Sequence, residues 1–136
     1  LCFPISALCW DEQQVVALVK QKNMQDSVLI SSFEIDILVQ IASMEDPPAI
    51  ALISQTPASQ RIIQICSRLK AFSWHPDHLI VTPRQVDMMH TAGLKVFPYN
   101  VDTFEDYVKM IDMKVDGVIT DDPLAADQWS RIRNAA

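Results

Sequence analysis

Short runs of nearly unbroken Val, Ile and Leu recur along the chain, separated by stretches of helical periodicity, and this alternation constrains the fold most. The runs SVLIS (27–31), AIALIS (49–54), HLIVT (78–82), LKVFPYNV (94–101) and GVIT (117–120) carry almost no polar alternation. A strand solvated on one face alternates polar with apolar residues, whereas a parallel strand covered by helices on both faces does not. Helices are expected between the runs, at about 11–23, 34–44, 57–71, 83–91 and 103–114, with a sixth at about 124–134. The class is therefore α/β, built of parallel βα repeats with short connections.

Helix starts and stripes support this reading. Thr56-Pro57 and Thr82-Pro83 each place a hydroxyl before a proline at a first helical position. Asp11 with Gln14, and Asp102 with Glu105, have the spacing of capping boxes. Apolar stripes run through Val15, Val16, Leu18 and Val19, through Ile62, Ile63, Cys66 and Leu69, and through Phe104, Tyr107, Val108 and Ile111. Both glycines, Gly93 and Gly117, lie in the last β-α-β stretch. Gly93 stands where a helix ends and a left-handed cap is expected. Two architectures fit this order: the last five strands of a TIM-barrel-like fold, or a five-stranded doubly wound sheet. The first helix has no strand before it unless 1–3 is the tail of one. Residues 1–136 are expected to form a single domain or a partial barrel.

Composition narrows function by exclusion. A net charge of -6 with no basic cluster argues against nucleic acid and anionic membrane surfaces. No apolar run approaches the ~20 residues that span a bilayer. LCFPISALCW lacks a basic leading region and is not read as a signal peptide, and the absent initiator Met suggests a start within a longer protein. Cys2, Cys9 and Cys66 lack metal-ligand spacing and read as buried thiols of a reducing, cytoplasmic setting.

Chemical motifs are sparse. Neither glycine belongs to a phosphate-binding loop, and there is no nucleophile elbow. His75 and His78 flank Pro76-Asp77 and read as a solvated turn rather than a metal site, while His90, in the last turn of a helix, reads as structural. Glu34 and Asp36 suit the positive end of a helix dipole. Ligands of parallel α/β folds gather at the C-terminal ends of strands. Asp121 lies there, and is either a site residue or the N-cap of the last helix. Tyr99, Asn100 and Asp102 cluster at a neighbouring strand end, as the wall of a polar pocket or as a core-edge aromatic followed by a cap.

The segment GLKVFPYNVDTFEDYVKMIDMKVDGVITDDP resembles the closing strands of glycerophosphodiester phosphodiesterases. Gly93, Val96, Val101, Asp116, Gly117, Thr120, Asp121 and Pro123 match that family's pattern, as do Ser32 and Phe33 in LISSFEIDIL. HLIVTPRQVDMMHTAG is similar to the family's strand, Thr-initiated helix and Ala-Gly, so the resemblance covers 27–123. Tyr99, Asn100 and Asp102 stand where the family has Trp, Thr and Asn, and Lys114 replaces a glycine at a helix end.

The resemblance implies a TIM barrel that hydrolyses a glycerophosphodiester to an alcohol and glycerol 3-phosphate. It implies a divalent cation, Mg²⁺ or Ca²⁺, and a histidine acid or base. It places the His-Arg-Gly motif, the Glu-x-Asp ligands and the second histidine in earlier strands, and a further metal-binding Glu just before a segment like LCFPIS. Ser32, Phe33, Tyr99, Asn100 and Asp121 would then wall the glycerol pocket, and the chain alone would be inactive. A chain cut from a barrel would also self-associate through unpaired strand edges.

Overall fold

The computed structural model of the chain describes residues 2–4 and 11–135, the side chains of 2–4 and 134–135 excepted. Among the described residues five strands and six α-helices follow one another: β1 (Cys2–Pro4), α1 (Glu12–Gln21), β2 (Leu29–Ser32), α2 (Ile35–Ala42), β3 (Ala49–Ser54), α3 (Gln60–Leu69), β4 (Ser73–Pro76), α4 (Pro83–Thr91), β5 (Lys95–Val96), α5 (Phe104–Asp112) and α6 (Pro123–Ala135). β1 does precede α1, so the first helix is preceded by a strand. Cys9 lies outside the described residues.

Strand order follows chain order, β1-β2-β3-β4-β5. The β1–β2 and β2–β3 pairs are parallel, with Leu29 opposite both Cys2 and Ala49. A doubly wound sheet reverses direction at a switch point, whereas a barrel wall adds each strand beside the last. The sequential order is that of a barrel wall.

The chain divides into two compact units, one of Leu1–Ser54 with Ser59–Trp74, the other of Gln55–Ala58 with His75–Ala136. In the first, α2 buries Ile37, Leu38 and Ile41, and β3 buries Ile50 through Ile53. Both follow from the continuous apolar runs. α1 buries only Val16 and Val19, while Leu18 from the same expected stripe is half exposed. Asp11 caps α1 by accepting the Gln13 amide at 2.9 Å. α3 begins after Ser59, whose hydroxyl accepts from Ile62 N, and not after Thr56. Cys66 is buried within α3, and burial pushes its thiol up to about 11.

In the second unit, α4 starts on the expected Thr82-Pro83 signal with a complete capping box to Gln85. Gly93 has φ +79°, the left-handed cap expected of it, and Lys114 takes φ 63° where the resemblance placed a glycine. α5 is capped by Thr103, whose hydroxyl accepts the Asp106 amide at 3.1 Å; Asp102, the expected cap, is bonded elsewhere. Tyr107 is buried on α5 and meets Trp129 of α6, ring centroids 5.8 Å apart.

The expected strand at 78–82 is displaced. The strand is β4, fully buried, and His78–Ile80 forms a 3-10 turn capped by Asp77. Trp74, His75 and Pro76 do not read as strand residues in sequence, yet they fill it. The expected strand at 117–120 is also absent as a regular element. Its backbone still runs beside 96–101, through Asp116 N to Val96 O (3.0 Å), Ile119 N to Pro98 O (2.8 Å) and Val101 N to Ile119 O (2.9 Å). The step from 116 to 119 faces the shorter step from 96 to 98, and Pro98 has no N–H to donate, so a regular ladder cannot form.

Candidate functional site

The C-terminal ends of the strands in the second unit bring together residues that are far apart in sequence. Beyond Pro98 the chain leaves β5 through Tyr99, Asn100, Val101 and Asp102, and beside it 117–120 runs out into Asp121 and Asp122. Asn100 Nδ2 donates to Asp121 Oδ2 at 3.0 Å. Asp102 Oδ1 accepts from Thr120 Oγ1 at 2.8 Å and from Asp121 N at 2.9 Å. The Asp121 amide and then the Thr120 hydroxyl hold the Asp102 carboxyl below its ordinary range. Asp122, not Asp121, takes the helix-capping role, accepting the Ala125 amide at 3.0 Å. Asp121 does not cap the helix and instead accepts from Asn100.

Tyr99 joins this edge to β4. Its amide donates to Pro76 O at 2.9 Å, and its carbonyl accepts the His78 amide at 2.8 Å. Burial, with the Asp77 charge, raises the Tyr99 phenol above its ordinary value. His78 Nδ1 also lies 3.2 Å from Tyr99 O. A carbonyl only accepts, so Nδ1 carries the hydrogen and Nε2 faces Asp106, 3.9 Å away. His75, expected in a solvated turn, is buried and meets Phe97 edge-on at 5.6 Å. Burial lowers its pKa to about 4, so it is neutral near pH 7.

Ser32 and Phe33 belong to the first unit, at the end of β2. Ser32 is buried and its hydroxyl accepts the Glu34 amide at 3.0 Å, closing the turn into α2. Phe33 is 53% exposed. Of the five expected site residues, Asn100 and Asp121 are directly bonded, and Tyr99 adjoins Asn100 in the chain. His78, read as part of a solvated turn, lies in a 3-10 turn against Tyr99 O, and Asp102, read either as a cap or as a pocket residue, does not cap α5 but bonds Thr120 and Asp121. The signal for Asp102 was its place just past a strand end, level with Thr120-Asp121.

The opposite end of the same two segments holds a second cluster. Asp116 Oδ2 meets His90 Nε2 at 2.8 Å and the Val96 amide at 2.9 Å, and Asp116 Oδ1 meets Lys95 Nζ at 2.7 Å. Burial works to raise the Asp116 pKa, but Lys95, the Val96 amide and His90 together bring it below the ordinary carboxylate value. An open pocket of about 260 Å³ lies there, lined by His90, Gly93, Leu94, Lys95 and Asp116. In barrels the N-terminal face serves stability, so we assign this cluster to stability.

Residues 8–125 match the model of the glycerophosphoryl diester phosphodiesterase family. The chain belongs to that family. It is 34% identical over 112 residues to a glycerophosphodiester phosphodiesterase of Caldanaerobacter subterraneus subsp. tengcongensis, covering 82% of this chain and 46% of that protein. It is 31% identical over 114 residues to the uncharacterized protein YqiK of Bacillus subtilis, again covering 82% and 46%. The chain thus spans about half the length of these relatives. Among solved structures, a Parabacteroides distasonis glycerophosphodiester phosphodiesterase superposes with a TM-score of 0.83 at 17% identity, covering 98% of this chain and 58% of that one. An Oleispira antarctica phosphodiesterase, solved in complex with the product sn-glycerol-3-phosphate, gives 0.80 at 21% identity, covering 88% and 49%. At these identities the structures establish a shared fold. In this chain of the family, then, the Asn100–Asp121 pair lies at the end of the strands where such α/β folds gather ligands.

Proposed function

We propose that the chain is the C-terminal portion of a glycerophosphodiester phosphodiesterase barrel and supplies one wall of its glycerol pocket. The carrying observation is that Asn100 and Asp121, separated in sequence, meet at 3.0 Å at the strand ends of a chain of this family. Tyr99, next to Asn100 in the chain, is proposed as a further wall residue, and Ser32 and Phe33 are proposed as wall residues on the resemblance at the end of β2. The complete enzyme would hydrolyse a glycerophosphodiester to an alcohol and glycerol 3-phosphate.

The chemistry of that reaction is assigned to residues outside this chain. A Mg²⁺ or Ca²⁺ ion would neutralise the phosphate charge. Among the described residues no three His, Cys, Asp or Glu are grouped to hold a metal ion, so the residues present do not fit its cage. By itself the chain is expected to be inactive. No helix among the described residues is long and apolar enough to cross a membrane; the cytoplasmic setting is proposed from the cysteine pattern of the sequence. Self-association through strand edges has no structural observation in its favour and we do not propose it.

The test is a chimera. The chain alone should release no glycerol 3-phosphate from a glycerophosphodiester. Joined behind the first half of the Caldanaerobacter relative, it should restore release, and Asn100→Ala in that chimera should lower kcat/KM at least tenfold. A folded chimera that binds metal yet releases nothing would sink the reading.

A further inference from the structure

Asn100 is pinned between two peptide planes. On its far side, the Val101 amide donates to Ile119 O at 2.9 Å. On its near side, the Tyr99 carbonyl, which shares a peptide plane with the Asn100 nitrogen, accepts twice from one residue. The His78 amide reaches it at 2.8 Å and His78 Nδ1 at 3.2 Å. A carbonyl oxygen has two lone pairs, so both bonds can be made at once. A single bond leaves a carbonyl room to pivot, and a second from the same residue removes it. Because the peptide unit is planar, fixing its oxygen fixes the direction in which the chain enters Asn100. With both flanking planes held, the Asn100 side chain leaves the backbone in one direction, along which Nδ2 meets Asp121 Oδ2 at 3.0 Å.

The two ring nitrogens of His78 are not equivalent here. The Asp77 carboxylate lies 3.6 Å from Nδ1, beyond hydrogen-bond length, and its Oδ1 already accepts the Leu79 amide at 2.9 Å. Nε2 stands 3.9 Å from Asp106, also too far for a bond. Among the described residues, Tyr99 O is therefore the acceptor that the ring reaches. The bond is part-buried, where water competes less for the carbonyl.

We propose that His78 is a positioning residue of the candidate site: its ring, through Tyr99 O, holds the Tyr99–Asn100 peptide and so aims the Asn100 amide at Asp121. This rests on the glycerol-wall reading and deepens it, by adding a residue that touches no ligand and acts only through Asn100. The contribution of the ring resides in its Nδ1 donor and not in Nε2.

Asparagine and glutamine separate the two nitrogens, since asparagine carries an NH₂ at the place of Nδ1 and glutamine one near the place of Nε2. In the full chain labelled with ¹³C and ¹⁵N, His78→Gln should shift the Tyr99 carbonyl carbon, the Asn100 backbone nitrogen and the Asn100 side-chain NH₂ pair. His78→Asn should leave all three near their wild-type positions. The Gly93 amide, at the opposite end of the same segments, should hold still in both. Equal shifts in the two variants, or none in His78→Gln, overturn the positioning role. So does a shift of Gly93 as large as that of Asn100, which would mark a general structural role.

Kinetics of the chimera test the consequence for binding. His78→Gln should raise KM about threefold with kcat unchanged, the worth of one modest hydrogen bond. His78→Asn should leave KM in place. In an Asn100→Ala background His78→Gln should add nothing, because it acts through that residue. A further rise in KM there overturns the route through Asn100. If Asn100→Ala itself leaves kcat/KM unmoved, the glycerol-wall reading fails, while the resonances of the His78 variants still decide whether the ring holds the peptide.

Discussion

Two aspartates close the same pair of segments at opposite ends, and they do different work. Asp116, at the N-terminal end, has a side chain only 16% exposed and gathers the Lys95 ammonium, the His90 ring and a backbone amide. Asp102, at the C-terminal end, is exposed and gathers a hydroxyl and a backbone amide. Between them Pro98 and the uneven step from 116 to 119 leave the backbone ladder irregular, so side chains hold what a regular sheet would hold by itself. One residue type thus anchors the fold at one end and shapes a surface at the other. Charge alone does not separate the two cases; covering from water and choice of partner do.

Experiments can set the two ends against each other. Asp116→Ala should be the costliest change, about 2–3 kcal/mol by urea unfolding, because it strands the part-buried Val96 amide and removes the partner of Lys95 and of the His90 ring. It should leave the Asn100 NH₂ resonances in place; movement there would mean that the ends are not independent. Acid should come next. The folded-state pKa values of Asp116 and Asp102 are both lowered, so their stabilisation is complete above the ordinary carboxylate pKa of 3.8 and fades as pH falls through the folded values. Thermal midpoints should therefore drop below about pH 4, and Asp116→Asn should flatten that drop more than Asp102→Asn. An equal effect of the two would erase the distinction. Asp102→Ala should cost under about 1 kcal/mol at neutral pH, as exposed hydrogen bonds do. Smallest, Lys114→Gly should stabilise the chain by about 0.5–1 kcal/mol, since a left-handed φ suits glycine. A destabilised Lys114→Gly variant would show that this side chain contributes something beyond its backbone position.

Much of the architecture was legible because it rests on local signals. The runs at 27–31 and 49–54 became β2 and β3, Thr82-Pro83 became a capping box, and Gly93 took its left-handed φ. β4 was not legible. Trp74 and His75 look like loop residues, and only their surroundings make a buried strand of them. At 117–120 the reverse holds: the composition is that of a strand, but its neighbour carries Pro98 and cannot complete the ladder. The site was half legible. Strand-end position pointed to Asn100 and Asp121, and geometry joined them. Asp102 was misread because a local capping pattern competed with a tertiary bond, and Thr103 was free to cap in its place.

Cys66 has a consequence for measurement. A buried thiol raised to about 11 carries, near pH 7, about one thiolate per ten thousand molecules. Alkylating reagents act on the thiolate, so in a chain with Cys2 and Cys9 replaced by serine, labelling of Cys66 would wait for α3 to open. Its rate would then serve as a clock for the first unit, readable by mass spectrometry without denaturant.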